Sequence, residues 1–383
     1  MSEPAPLAVY VHWPYCARIC PYCDFNVVRD RGRTDEQAAL ADAIVADLKA
    51  QAGRLGPRRL VSVFFGGGTP SLMDPEAAGR IVEAARALFP PAGPVEVTLE
   101  ANPTDAEAAR FSAFADAGVE RLSLGVQALD DEALGFLGRN HGAAEAIRAA
   151  ETARRAFPRL SIDMIYARPG QTPEAWRGEL ERALALGPEH VSPYQLTIEQ
   201  GTAFGRAVSR GVFVPPDPDT AADLFDATQA TLEAAGFEAY EVSNHARGEA
   251  ARSQHNLAIW RGAEYLGVGP GAHGRVVVGG ARTATRAVRR IGDYIARVAE
   301  TGAGWDEAEP LSERDAAEER LMLGLRIAEG VPLVEVAALQ FGPGAPGVRM
   351  LSEAGLVEID ARRIRATPRG RLVLDRVLAE LIA

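Results

Sequence analysis

The sequence predicts an α/β protein built on a parallel sheet, and three observations predict it. Short β-rich runs alternate with alanine-rich helical patterns through the first half of the chain. That alternation is the mark of βαβ units, whose parallel strands pair side by side. Glycines and polar residues then collect just after the strands, where α/β proteins build their sites. Six such units fit an open, partial (β/α) barrel or a doubly wound sheet, and periodicity leaves both open.

The predicted strands are Leu7–Val11, Leu60–Phe65, Val95–Leu99, Arg121–Val126, Leu160–Ile165 and His190–Gln195. Between them, apolar residues recur at three- and four-residue spacing over Asp35–Ala50, Pro75–Leu88, Asp105–Ala117, Ala143–Ala156 and Pro173–Leu186. That spacing lays one apolar stripe along a helix. Thr104-Asp105 and Thr172-Pro173-Glu174 are helix starts, because a threonine oxygen accepts from free N–H groups of the first turn. After Pro215-Pro216-Asp217-Pro218 a helix is expected over about Thr220–Ala235. Glu238–His273 has a mixed texture, and 276–305 read as a strand pair followed by a helix. From Leu311 the order is three helices, a short hairpin (Gly355–Ile359 and Arg363–Arg365) and a last helix, which resembles a winged-helix module. The expected division is 1–236, a connecting segment 237–305, and a C-terminal winged-helix-like α+β domain 306–383.

Composition narrows the function. The 383 residues carry 41 basic and 52 acidic side chains, a net charge of −11. Such a chain has no general attraction for phosphate backbones, so nucleic acid is not expected as a partner. The arginines at 362, 363, 365, 369 and 371 then read as a solvated wing. Lys49 is the only lysine, which removes the P-loop signature and argues against a lysine Schiff base. No apolar run reaches the roughly 18 residues of a spanning helix. Met1-Ser2-Glu3-Pro4-Ala5-Pro6 lacks the basic and apolar regions of a leader. The expected location is cytoplasmic, in keeping with reduced thiols.

There are three cysteines, all within Tyr10-Val-His12-Trp-Pro14-Tyr-Cys16-Ala-Arg-Ile-Cys20-Pro-Tyr22-Cys23. An odd, clustered set is no disulfide framework. The C-x3-C-x2-C spacing suits three irons of one cubane, leaving the fourth open to an exchangeable ligand. A zinc site with His12 as fourth ligand is the chemical alternative, and a cluster of buried thiols a third. Phe65-Gly66-Gly67-Gly68-Thr69-Pro70-Ser71 closes the second strand, and bare backbone there allows close approach. Gly267-Val-Gly269-Pro-Gly271-Ala-His273-Gly274 is not a dinucleotide fingerprint, because its proline interrupts a helix start. Glu100, Gln127 and Asp163 fall at successive strand ends, and Arg139 follows in the next helical region.

The cysteine block resembles the radical S-adenosylmethionine (SAM) superfamily. Its Tyr-x-His-x-Pro-x-Cys lead-in is similar to the coproporphyrinogen III oxidase-like family, a resemblance that spans essentially the whole chain. It implies a partial (β/α)6 radical SAM barrel and a [4Fe–4S] cluster on Cys16, Cys20 and Cys23. The amino and carboxylate groups of SAM would occupy the fourth iron, where one-electron reduction yields methionine and a 5′-deoxyadenosyl radical. By the same resemblance Tyr10, Tyr22, Gly67, Gly68, Thr69, Glu100, Gln127, Arg139 and Asp163 match SAM-contacting positions. Arg139 suits the SAM carboxylate, and Glu100, Gln127 or Asp163 its ribose hydroxyls. His273 falls near an adenine-side position.

Two departures point within the family. The oxidases carry a further cysteine where this chain has Phe25, and a long N-terminal extension where only 15 residues precede Cys16. Both favour the HemW branch, described as heme-binding chaperones. Gln254-His255-Asn256-Leu257-Ala258-Ile259-Trp260-Arg261-Gly262 resembles the His-Asn-x-x-Tyr-Trp motif of that branch, with Ile259 in place of the tyrosine. The resemblance makes His255 a candidate axial ligand of heme, with Trp260 beside the macrocycle. The expected partners are heme or a porphyrin, a heme-acceptor protein and an electron-donor protein. The expected function is a heme chaperone carrying a SAM-coordinated cluster; SAM cleavage fits the resemblance, and the two departures tilt the chain away from oxidase activity. Anaerobic coproporphyrinogen III oxidation and a zinc-bound module are the alternatives.

Overall fold

Twelve strands form one open sheet in a computed structural model that describes residues 3–340, 342 and 344–382. Met1 and Ser2, with 341, 343 and 383, lie outside the described residues. In chain order the strands are β1 (Pro6–Trp13), β2 (Arg59–Gly67), β3 (Glu96–Ala101), β4 (Arg121–Gln127), β5 (Arg159–Tyr166) and β6 (His190–Gln195). They continue with β7 (Glu238–Glu241), β8 (Asn244–Ala246), β9 (Glu264–Val268), β10 (His273–Val278), β11 (Ala281–Ala287) and β12 (Trp305–Pro310). Their order across the sheet is β12-β11-β10-β9-β1-β2-β3-β4-β5-β6-β8-β7. The first six strands pair in parallel and in chain order, as helical crossovers demand.

Residues 237–305, expected as a connecting segment, join the sheet on both sides, and 305–310 complete one edge. β9 adds a seventh parallel strand against β1, and β10–β12 continue it antiparallel. At the far edge β8 adds antiparallel to β6, and β7 antiparallel to β8. The helix Gln254–Trp260 closes the floor of the barrel. Its first turn is bound to Glu96, whose Oε1 accepts from the His255 N–H at 3.1 Å and the Ser253 hydroxyl at 3.3 Å.

Alternation along each strand separates two environments. On β1, Leu7, Val9, Val11 and Trp13 pack into the main core with Leu40, Ile44 and Leu48 of the helix Thr34–Leu55. Ala8, Tyr10 and His12 take the other face. The same parity puts Ser62, Thr98, Glu100, Ser123, Asp163 and Ser192 on the inner face, so the lumen is polar.

The helix expected over Asp105–Ala117 is two short ones, Asp105–Ala108 and Phe111–Asp116. Between them Arg110 N–H bonds Glu107 O, an i−3 contact that tightens the turn. The Arg110 guanidinium donates to Ser71 O at 2.9 Å and holds the break in place. A separate core gathers residues from Ala317 to Leu381. Here the second expected helix is a 3-10 segment, Leu333–Leu339, and the last is split into Pro368–Leu372 and Leu374–Ile382. The hairpin Val357–Ile359 with Arg363–Ala366 forms the wing.

Candidate functional site

A cavity of about 410 Å³ opens where the parallel strands end, and the three cysteines line it. Their loop is stitched to the chain that follows. Val28 N–H donates to Pro14 O and Asp30 N–H to Cys16 O, each at 2.8 Å. Cys16 is buried, and that burial pushes its thiol up to about 11. Cys23 is raised for the same reason. Binding metal in place of the proton is therefore the route by which these sulfurs become thiolates.

The glycine block lies against this loop because nothing larger fits. A Cβ on Gly68 would stand 2.6 Å from Tyr15 O. Gly67 has φ of +108°, and a Cβ there would stand 2.5 Å from the His12 ring. Its N–H donates to Glu100 Oε2 at 3.2 Å, which turns that carboxylate toward the cavity. Thr69 is buried, accepts from Asn102 Nδ2 at 3.0 Å, and sits beside the Cys16 sulfur.

Glu100 and Asp163 face each other from β3 and β5. Burial pushes Glu100 up to about 8, and the nearby Asp163 charge adds to the rise. Burial pushes Asp163 up to about 6 against the opposing hydrogen bonds of Ser192 and Ser123. Gln127 ends β4 in the left-handed region at φ 65°, an arrangement that costs a residue with a side chain of order 1 kcal/mol. Its Oε1 is buried without a hydrogen-bond partner, as is Nε of Arg139. Arg139 donates to Cys20 Sγ at 3.3 Å and Gly125 O at 3.1 Å, and bonds Asn102 Oδ1.

These residues fit the expected cofactors. Three sulfurs on one wall suit a cubane that lends one iron to each, and an unpartnered acceptor and donor face a polar ligand. They fit zinc poorly. His12 donates from Nε2 to Asn26 O at 2.9 Å, so Nδ1 accepts from the Tyr10 hydroxyl at 3.0 Å. Both ring nitrogens are thereby occupied. Among the described residues no three His, Cys, Asp or Glu side chains converge on a single ion.

Residues 10–183 match the radical SAM superfamily profile, and 311–373 match the HemN C-terminal domain. Radical S-adenosyl methionine domain-containing protein 1 of Bos taurus is 42% identical, covering 100% of this chain and 89% of that protein. The heme chaperone HemW of Escherichia coli is 40% identical over 72% of each. HemW of Bacillus subtilis is 30% identical over 98% of this chain and 99% of its own. The chain belongs to the HemW branch of the radical SAM superfamily. The solved structure of coproporphyrinogen III oxidase (HemN) from Escherichia coli has the same fold, with a TM-score of 0.81 at 22% identity, covering 99% of this chain and 91% of that one.

Measured against the sequence-based expectations for this branch, the cavity brings together Cys16, Cys20, Cys23, Tyr22, Gly67, Gly68, Thr69, Glu100, Gln127, Arg139 and Asp163. It does not bring Tyr10 or His255. Tyr10 stacks beside Phe64 at 6.3 Å between ring centres and spends its hydroxyl on His12. His255 lies buried on the floor helix, with Nδ1 3.0 Å from Ser62 Oγ and its ring stacked 4.8 Å from Phe64. Burial lowers it to about 4, so it is neutral. Its surroundings are those of a core histidine. His273 lies in a neighbouring cavity, not in this one. Sequence reasoning missed Asn102, which links Thr69 to Arg139. Its signal was its place two residues beyond Glu100 at the end of β3.

Proposed function

We propose that this chain is a heme chaperone that holds a [4Fe–4S] cluster on Cys16, Cys20 and Cys23 and SAM beside it. It would receive heme and hand it to an acceptor protein. The observation that carries the reading is the shared cavity, in which the three sulfurs face the residues proposed for SAM. The HemW names of relatives that match most of their length support the heme part.

When bound, the cluster and SAM supply one-electron reduction and a carbon-centred radical. The chain's own part is binding and orientation. Arg139 offers its unpartnered Nε–H to a carboxylate while its Nη2 contacts to Gly125 and Asn102 hold the guanidinium plane. Gln127 Oε1 accepts from a hydroxyl, and Glu100 and Asp163 offer further acceptors at the ribose side. Thr69 keeps Cys16 in place. Electrons would come from a separate donor protein, and the cytoplasm is the proposed setting.

The test is an anaerobic assay on reconstituted protein with coproporphyrinogen III, SAM and reductant, run beside heme binding. Heme retention with transfer to an apo-acceptor, and no protoporphyrinogen, is the expected result. Robust protoporphyrinogen formation would overturn it. Phe25, where the oxidases carry a cysteine, favours the chaperone outcome.

A further inference from the structure

A second cavity of about 460 Å³ lies beside the cluster loop, on the inner face of β1, β9, β10 and β11. Its walls are flat and largely apolar: Tyr10, Phe25, Ile259 and Tyr265. Its polar rim holds His273 and the guanidinium groups of Arg286 and Arg289, with Asp24 and Asn26 on the side of the cysteine loop. Register accounts for the grouping, because His273 pairs with Arg286 across β10 and β11, and paired residues project to one face.

His273 differs from every other histidine. The rings of His12, His141, His190, His245 and His255 are each hydrogen-bonded. Among the described residues, His273 is the one of six whose ring has no such bond. Partial burial and the nearby Arg275 and Arg286 charges lower its pKa, leaving a neutral imidazole with a free lone pair. Arg286 pairs with Glu307, whereas Arg289 has no ion pair among the described residues. Phe25 is 63% exposed at the mouth, an aromatic ring without a covering. The Gln254–Gly262 motif reaches this cavity through Ile259, not through His255.

We propose that heme is seated in this second cavity, with His273 as axial ligand and Arg286 and Arg289 facing its propionates. This rests on the heme-chaperone reading and names the site. Planar apolar walls suit the macrocycle, guanidinium groups suit carboxylates, and a neutral imidazole suits the iron. The site is joined to the cluster loop through Asn26, three residues beyond Cys23. Asn26 Nδ2 donates to Pro270 O and Arg289 O, both at 2.9 Å. Ordering of the loop would thus be felt at the heme rim.

The test is heme titration of the full-length protein, read by Soret absorption and by the ferric electron paramagnetic resonance spectrum. His273→Ala is expected to shift the Soret band, remove the imidazole-ligated signal and raise the Kd about 10-fold. Arg286→Ala with Arg289→Ala should raise the Kd for heme by a similar factor and leave the Kd for heme dimethyl ester unchanged. The wild-type protein should itself prefer heme to the ester, a comparison that needs no variant to fold. Wild-type spectra and affinities in both variants, with no ester discrimination, would place heme elsewhere and leave the chaperone reading standing. A wild-type protein that binds no heme would remove that reading as well.

Discussion

The Arg139 guanidinium stands 3.3 Å from Cys20 Sγ, so one arginine touches both the cysteine loop and the cavity wall proposed for SAM. Its other contacts come from β4 and from Asn102 just beyond β3, which ties Cys20 and the strand ends into one unit. Arg139→Lys keeps the charge and loses the planar fork. We expect SAM affinity to fall about 10-fold, near 1.4 kcal/mol, with iron and sulfide content retained. Equilibrium dialysis of reconstituted protein checks it, and equal SAM affinity would remove Arg139 from the carboxylate site.

Cys20→Ala should abolish the intact cubane and SAM cleavage while leaving the fold in place. Cys20 sits on a partly exposed loop, where few core contacts are lost. Iron and sulfide analysis with circular dichroism measures both halves. Full cluster occupancy in the variant would mean that another residue is the ligand.

Glu100 and Asp163 set a pH dependence. A carboxyl pKa raised from 4.5 to about 8 means the folded state holds its proton more tightly than the unfolded chain. The stability so contributed is full below the unfolded value and is lost as pH rises through about 8. The Tm of the ligand-free protein should therefore fall between these limits, and Glu100→Gln should flatten the slope. Calorimetry at several pH values decides it; an unaltered slope would mean that Glu100 is already ionised throughout.

Glu96 holds the floor. It pairs with buried Arg121 at 3.2 Å and with Arg159 at 3.0 Å, and also accepts from the start of the helix Gln254–Trp260. Glu96→Ala leaves the buried Arg121 guanidinium with only Glu189, at 3.6 Å, as counter-charge, a loss of roughly 3–5 kcal/mol. Denaturant unfolding should register it, and a cost under about 1 kcal/mol would contradict the buried-charge account.

His255→Ala separates floor from heme site. Loss of the Ser62 contact and the stack on Phe64 should lower Tm, while the heme absorption spectrum stays that of the wild type. A lost imidazole signature in this variant would return the ligand role to His255.

The parallel order of the first six strands was legible because short β-rich runs alternate with helical stripes, and a helical crossover returns the chain to a parallel strand. The gathering of the three cysteines with Gly67, Gly68, Thr69, Glu100, Gln127, Arg139 and Asp163 around one cavity was legible too, since their spacing and strand-end placement are local. The role of 237–305 was not. Short edge strands such as Asn244–Ala246 carry little periodic signal, and their pairing to β6 depends on residues some fifty positions away. Nor was the fate of each histidine, because whether an imidazole meets Ser62 or a cavity depends on neighbours distant in the chain. The sequence by itself determined the α/β class, the C-x3-C-x2-C loop and the family. Tertiary structure alone decided that His255 is enclosed on the floor while His273 stands open at the rim of the second cavity. The reason is physical: ligand spacing is written along a short loop, whereas burial is decided by which strands and helices close over a side chain.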